Sequence, residues 1–366
     1  MREKLFKMES ALKEFHAAVK QNDAEKVRKY LQDGISPDEP NWDINGRPAI
    51  FEATYQGDVE IVKILLDANA DPNAQNTVGE TALHNAFHPK SFSKDIVTLL
   101  LEHGADENIR EKMNGYTPMH LAAKLASSKI SKTCHQDLLD VLKMMSEKAD
   151  VTITSYRKET AMHRLVAGNA DCSDTLQILI DRGYKLDAQN ERGETSLMCA
   201  IDKGHINMAA ALIKAGTNVN IKDRHFQTAL HHSVQKNQLS LVKLLLNTQC
   251  DINATDLNGD TALHIASSKG LTDMVKVLIS YPEIDVNVQN IRGSTPLLNA
   301  VESGFTKVVE LLLEVYSDAE YEKGLLKALD IAEENFVRRW HPEIFSLLQQ
   351  ALDQKRDLWD EGETSL

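Results

Sequence analysis

The stretch that decides the fold is Gly259-Asp260-Thr261-Ala262-Leu263-His264-Ile265-Ala266. It recurs as Gly79-Glu80-Thr81-Ala82-Leu83-His84 and as Gly115-Tyr116-Thr117-Pro118-Met119-His120, with weaker copies between. Anchoring on the first residue of each copy gives Gly46, Gly79, Gly115, Lys158, Gly193, Phe226, Gly259 and Gly293, at intervals of 33, 36, 43, 35, 33, 33 and 34. A length of 366 residues would by itself suggest two or three globular domains, but a period near 33 points to a single array of repeats.

Each unit has a physical reading. A Gly turn supplies a positive φ cheaply. Two residues on stands Thr81, Thr117, Thr160, Thr195, Thr228, Thr261 or Thr295, whose hydroxyl suits a helix N-cap. Pro118 and Pro296 follow directly, at the one helical position where proline costs nothing. A short helix then carries a small residue, such as Ala122, Ala200 or Ala266, that lets a neighbouring helix approach closely. A second helix has apolar residues at i, i+3 and i+4, as in Val62, Leu65 and Leu66 or Val242, Leu245 and Leu246. It ends in a strip such as Ala70-Asp71-Pro72-Asn73 or Cys250-Asp251-Ile252-Asn253.

The pattern G-x-T-x-L-H-x-A, a helix ending in L-L and then G-A-D-x-N closely resembles the ankyrin repeat, over about residues 10–350. The resemblance implies an all-α ankyrin-repeat solenoid of helix-turn-helix units with β-hairpin finger loops. The expected organisation is an N-terminal cap and divergent repeat over 1–42 and eight repeats over 43–322. A degenerate C-terminal capping repeat over 323–352 and a flexible acidic tail over 353–366 follow. Three departures stand out. Lys158 replaces the turn glycine in a poorly matching fourth repeat, and Phe226 replaces it too, so that the Phe226 turn is either rearranged or strained. Pro48 replaces the capping Thr. Repeat three carries about ten extra residues near 126–135, polar and locally basic, which read as a surface loop.

Composition narrows function. With 41 Lys plus Arg against 54 Asp plus Glu, the net charge of −13 disfavours nucleic acid and anionic membrane surfaces. No apolar run is long enough for a membrane-spanning helix or a signal peptide, so a cytoplasmic and potentially nuclear location is expected. Cys134, Cys172, Cys199 and Cys250 are too widely spaced for a zinc module or a disulfide framework. His84, His120, His163, His231 and His264 recur once per repeat; the resemblance implies a structural role, bonding backbone between repeats. The stretch Asp251–Gly259 lacks two oxygen ligands of a calcium loop. No nucleotide, zinc-protease or esterase motif is present, so neither cofactor nor metal nor enzyme activity is expected.

What remains is protein binding on the concave face that such an array implies. The period places Trp42, Met113, Tyr116, Tyr156, Arg157, Arg192, Arg224, His225, Phe226, Leu257, Ile291 and Arg292 at finger tips. Tyr55 and Phe87 fall on first helices. Aromatic residues and Arg dominate binding hot spots. The leading expectation is a non-catalytic scaffold, adaptor or inhibitor; an ankyrin-type effector acting on a host protein and a grafted enzyme are the alternatives. The last residues, with Thr364 and the terminal Leu366, also resemble a C-terminal ligand for a PDZ domain, which binds by strand addition.

Overall fold

A computed structural model describes residues 2–41, 46–128, 132–315, 321–339 and 342–363. The chain divides into two units, Met1–Glu191 and Arg192–Leu366. In the first unit one row of helices consists of α1 (Arg2–Lys20), α3 (Ala49–Gln56), α5 (Ala82–Ala86), α7 (Pro118–Ala126) and α9 (Ala161–Val166), each packed on the next. A second row, α2 (Ala24–Gln32), α4 (Val59–Asp67), α6 (Lys94–Glu102), α8 (Lys132–Met145) and α10 (Ser173–Asp181), runs beside it. The second unit repeats this plan. Its first row is α11 (Ser196–Lys203), α13 (Ala229–Gln235), α15 (Ala262–Ser268) and α17 (Pro296–Ser303), closed by α19 (Tyr321–Arg339). Its second row is α12 (Ile206–Lys214), α14 (Leu239–Leu246), α16 (Thr272–Ile279) and α18 (Thr306–Val315), closed by α20 (Pro342–Glu363). α20 thus continues past Leu352 as far as Glu363, into the segment read from sequence as a tail.

The core lies between the rows. Ile61, Val62 and Leu65 of α4 and Val242 and Leu245 of α14 are fully buried, each contributing about 1.5–3 kcal/mol of transfer free energy. Ala122, Ala200 and Ala266 have no exposed surface, as close helix contact requires. Thr81, Thr160, Thr195, Thr261 and Thr295 accept a backbone N–H of the first turn from their caps. α3, which begins after Pro48, has no side-chain cap bond.

The seams between repeats are polar. The backbone N–H of Thr117 donates to His120 Nδ1 (3.2 Å), so the neutral ring carries its proton on Nε2, which donates to the carbonyl of Glu159 in the next repeat (3.0 Å). His84 reaches the carbonyl of Tyr116, His231 that of Asp260 and His264 that of Ser294 in the same way. Burial pushes all four imidazoles down, His120 to about 4, with the carbonyl bonds opposing. A second seam joins the D-x-N strips: Asn73 accepts from the N–H of Asp106, Asn108 from Asp150, Asn220 from Asp251 and Asn253 from Asp285, at 2.7 to 2.9 Å.

Two expectations need correction. Among the described residues there is no β-strand, so the fingers are not β-hairpins. Pairing is limited to isolated bridges such as Asn41 with Arg47. The legs are too short for the alternating bond pairs of an antiparallel ladder. In the finger at Asp256 the carboxylate itself takes the N–H groups of Asn258 and Asp260, and two backbone bonds, Asp256 N–H to the Asp260 carbonyl (2.9 Å) and Gly259 N–H to the Asp256 carbonyl (3.0 Å), close the turn. The extra residues of repeat three are also not a plain loop. Lys132–His135 belong to α8, and the Ser127 carbonyl accepts from the N–H groups of Asn169 and Ala170 (3.0 and 3.1 Å). A Cβ on Gly168 would overlap Ser127, so this junction is packed tightly.

Because the seam histidines bind protons more weakly folded than unfolded, stability is full above pH ~6.5 and falls as pH drops toward about 4. Urea midpoints measured at pH 7.5 and pH 5 should differ clearly. His120→Asn should lower the midpoint at pH 7.5 yet narrow that difference; an unchanged difference would refute the account.

Candidate surface for partner binding

The eight anchors share one backbone conformation. Gly193 and Gly259 have φ of 75° and 75°, and a Cβ at Gly193 would meet Arg224 N at 2.8 Å, so both conformation and space call for glycine. Lys158 (φ 58°) and Phe226 (φ 59°) occupy the same left-handed region. Their turns are therefore strained and not rearranged, at a cost of roughly 1–2 kcal/mol each.

One backbone bond links each finger to the next. In the first unit Lys112 N–H donates to the Val78 carbonyl (2.8 Å), Tyr156 to Asn114 (2.8 Å) and Glu191 to Arg157 (2.8 Å). In the second unit Arg224 donates to Arg192 (3.0 Å), Leu257 to His225 (2.9 Å) and Ile291 to Asn258 (3.0 Å). These bonds place successive tips side by side through the backbone alone.

The side chains divide accordingly. Phe226, Leu257 and Ile291 are 51%, 59% and 74% exposed, and Arg192, Arg224, His225 and Arg292 are exposed beside them. The carboxylates of the same fingers turn inward: Asp223 accepts from the N–H groups of His225 and Gln227, and Asp256 from those of Asn258 and Asp260. The exposed tips of the second unit are thus apolar and cationic in a protein of net charge −13.

The first unit shows a related but more self-satisfied surface. Met113 (72% exposed), Tyr156 and Arg157 project from the tips. Arg110 lies over the Tyr156 ring at 5.0 Å, and Arg157 approaches Glu191 at 3.8 Å. Tyr116 is half-buried; its hydroxyl donates to Glu159 (2.9 Å), and Arg164 covers its ring at 4.9 Å. Tyr55 is exposed beside His88, whereas Phe87 is buried against Phe92 and presents nothing to a partner. Trp42, Thr364 and Leu366 lie outside the described residues.

One element was not legible in the sequence. His232 follows the seam histidine His231 but has the opposite charge state. Its Nδ1 meets Asp202 (3.0 Å) and its Nε2 meets Asp223 (3.2 Å). Burial alone would push this imidazole down; the two carboxylate bonds override it and raise it to about 9. Asp202 and Asp223 are in turn held below their ordinary range: burial opposes this, but the His232 bond outweighs it together with the charges of Lys236 and Arg192 at Asp202, and with the N–H groups of Gln227 and His225 at Asp223. Asp223 therefore ties the strained Phe226 turn to a buried imidazolium. No group of three His, Cys, Asp or Glu side chains among the described residues is placed to hold a metal ion.

The His232 contribution is fully present below pH ~6.5 and is lost as pH rises through about 9. An NMR titration should find the His232 ring protonated at pH 8, and a ring titrating near 6.5 would refute the assignment. His232→Leu should destabilise by about 3 kcal/mol or more, since it strands two carboxylates.

Comparison with known proteins supports this architecture. Models of ankyrin repeats match residues 15–111, 51–133, 130–223 and 220–290, and a further ankyrin-repeat model matches 269–313. A B-cell lymphoma 3 protein homolog of Mus musculus is 28% identical over 181 residues, 48% of this chain and 38% of that protein. Neurogenic locus notch homolog protein 1 of Homo sapiens is 30% identical over 158 residues, 43% of this chain and 6% of its own length. A 2-5A-dependent ribonuclease of Mus musculus is 47% identical over 75 residues, 20% of this chain and 10% of the enzyme. The chain thus spans well under half the length of these curated relatives. Among solved structures, the ankyrin repeat domain of Bcl-3, described as a unique member of the IkappaB protein family, superposes with a TM-score of 0.53 at 26% identity. That match covers 64% of this chain and 98% of that domain.

Proposed function

The chain belongs to the ankyrin-repeat family, and we propose that it is a non-catalytic adaptor or inhibitor that holds a protein partner on the finger tips of its second unit. The observation that carries this reading is the exposed row of Phe226, Leu257 and Ile291 among Arg192, Arg224 and Arg292, with the nearby Asp223 and Asp256 carboxylates spent inside the turns. Three large apolar side chains stand more than half exposed on successive tips, where the fold alone favours polar residues. The arginines around them favour a partner segment that joins apolar residues to acidic ones. The strain at Phe226 supports the same reading, since a strained position is retained only where something compensates it.

The double variant Arg224→Ala, Phe226→Gly tests this. It removes one cation and one aromatic anchor, relieves the left-handed strain, and gives up only a long cation–π contact with Lys222 at 6.0 Å. The expected result is a fold as stable as the parent or up to about 1 kcal/mol more so. Partners captured from a cell extract by the parent chain should bind the variant at least ten times more weakly by titration. Unchanged affinity in a folded variant places the contact elsewhere.

A further inference from the structure

The N-terminal end of the first unit carries a second surface of opposite character. Here α1 has 19 residues and its partner α2 only 9, so α1 runs ~28 Å against ~14 Å and overhangs it. The core stripe of α1, which buries Phe15 and Val19 completely, continues along the overhang through Leu12 and Met8. There it meets Tyr30 of α2 and Ile35 of the following turn. Together they floor an open groove of about 330 Å³ in which Met8 is 64% exposed.

Among the described residues, the charged side chains that line this groove are of one sign. The charged residues lining it are Glu9, Asp33 and Glu39. Beside it the Tyr30 hydroxyl donates to Glu14 at 2.6 Å; that bond, with Asp33 adding to it, pushes the phenol up. Lys13 and Lys20 of α1 turn away, toward a separate depression that they share with His16 and Arg47. An apolar floor with an acidic rim selects a ligand with an apolar ridge and flanking cations.

We propose that this groove docks a basic amphipathic helix of a partner protein, its apolar residues at i, i+3 and i+4 filling the Met8–Leu12–Ile35 floor and its Lys or Arg residues meeting Glu9, Asp33 and Glu39. Helix-in-groove docking of this kind reads a stripe of apolar anchors, and the charged rim sets which stripe is accepted. The site is independent of the finger tips, and its partner has the opposite charge to the one expected there.

The full chain is titrated, by fluorescence anisotropy, with a labelled 14-residue amphipathic model helix of Leu and Lys, and with its Leu and Glu counterpart. The Leu/Lys helix should bind and the Leu/Glu helix should not. Met8→Ser, a neutral change at an exposed position, should weaken binding at least tenfold, as should Glu9→Gln with Asp33→Asn. Circular dichroism checks that each variant keeps its helix content and melting temperature. Arg224→Ala with Phe226→Gly should leave this binding unchanged, which separates it from the tip row. The proposal is overturned if neither helix binds or both bind alike. It is also overturned if Met8→Ser has no effect, because charge alone would then hold the peptide, or if sedimentation shows that Met8 mediates self-association instead.

Discussion

The polar seams of the two stacks turn on a histidine that stays uncharged. Its Nδ1 takes a threonine N–H at the start of its own helix, and its Nε2–H reaches a carbonyl of the next repeat, as at Thr261, His264 and Ser294. Both bonds need the neutral ring, because an imidazolium has no acceptor left for the threonine. A single side chain thus satisfies an orphan donor at a helix start and fixes where the next repeat begins. Where the histidine is missing, at Met198 and Leu298, the threonine cap remains but the side chain makes no polar seam. At the Met198 repeat the seam is then carried by apolar burial and by the bond from Asp251 N–H to Asn220.

The repeat itself was readable because its physics is local. Turn, cap, small residue and apolar stripe occur in order within each copy, so spacing alone located the helices and the recurring histidines. The fingers were misread for the opposite reason. Whether a turn extends into a hairpin depends on who takes its N–H groups, and in the fingers at Asp223 and Asp256 a side chain takes them. Phe87 was placed on the surface by period, but its neighbour Phe92, which lies outside the repeat pattern, covers it.

Tertiary charge was the least legible feature. His231 and His232 are adjacent and chemically identical in the sequence, yet one is neutral on a carbonyl and the other is an imidazolium between two carboxylates. The difference comes from Asp202 and Asp223, thirty and nine positions away along the chain, and no local pattern announces it. Glu107 makes a similar point. It fills the slot that Ile252 fills in another repeat, is buried there, and burial pushes its carboxyl up. A strip that scans as A-D-x-N tolerates at x a residue whose cost only the packed structure reveals.

The finger-to-finger bonds divide labour between backbone and side chain. Since each tip is registered on its neighbour by an N–H and a carbonyl, the side chains at Arg224, Leu257 and Ile291 take no part in holding that register. Any residue but proline can stand at such a position without loosening the stack, because only proline lacks the donor. The outer rim of each unit can therefore change its chemistry one repeat at a time, at little risk to the fold. Inheritance can revise what this surface meets without revising what the protein is.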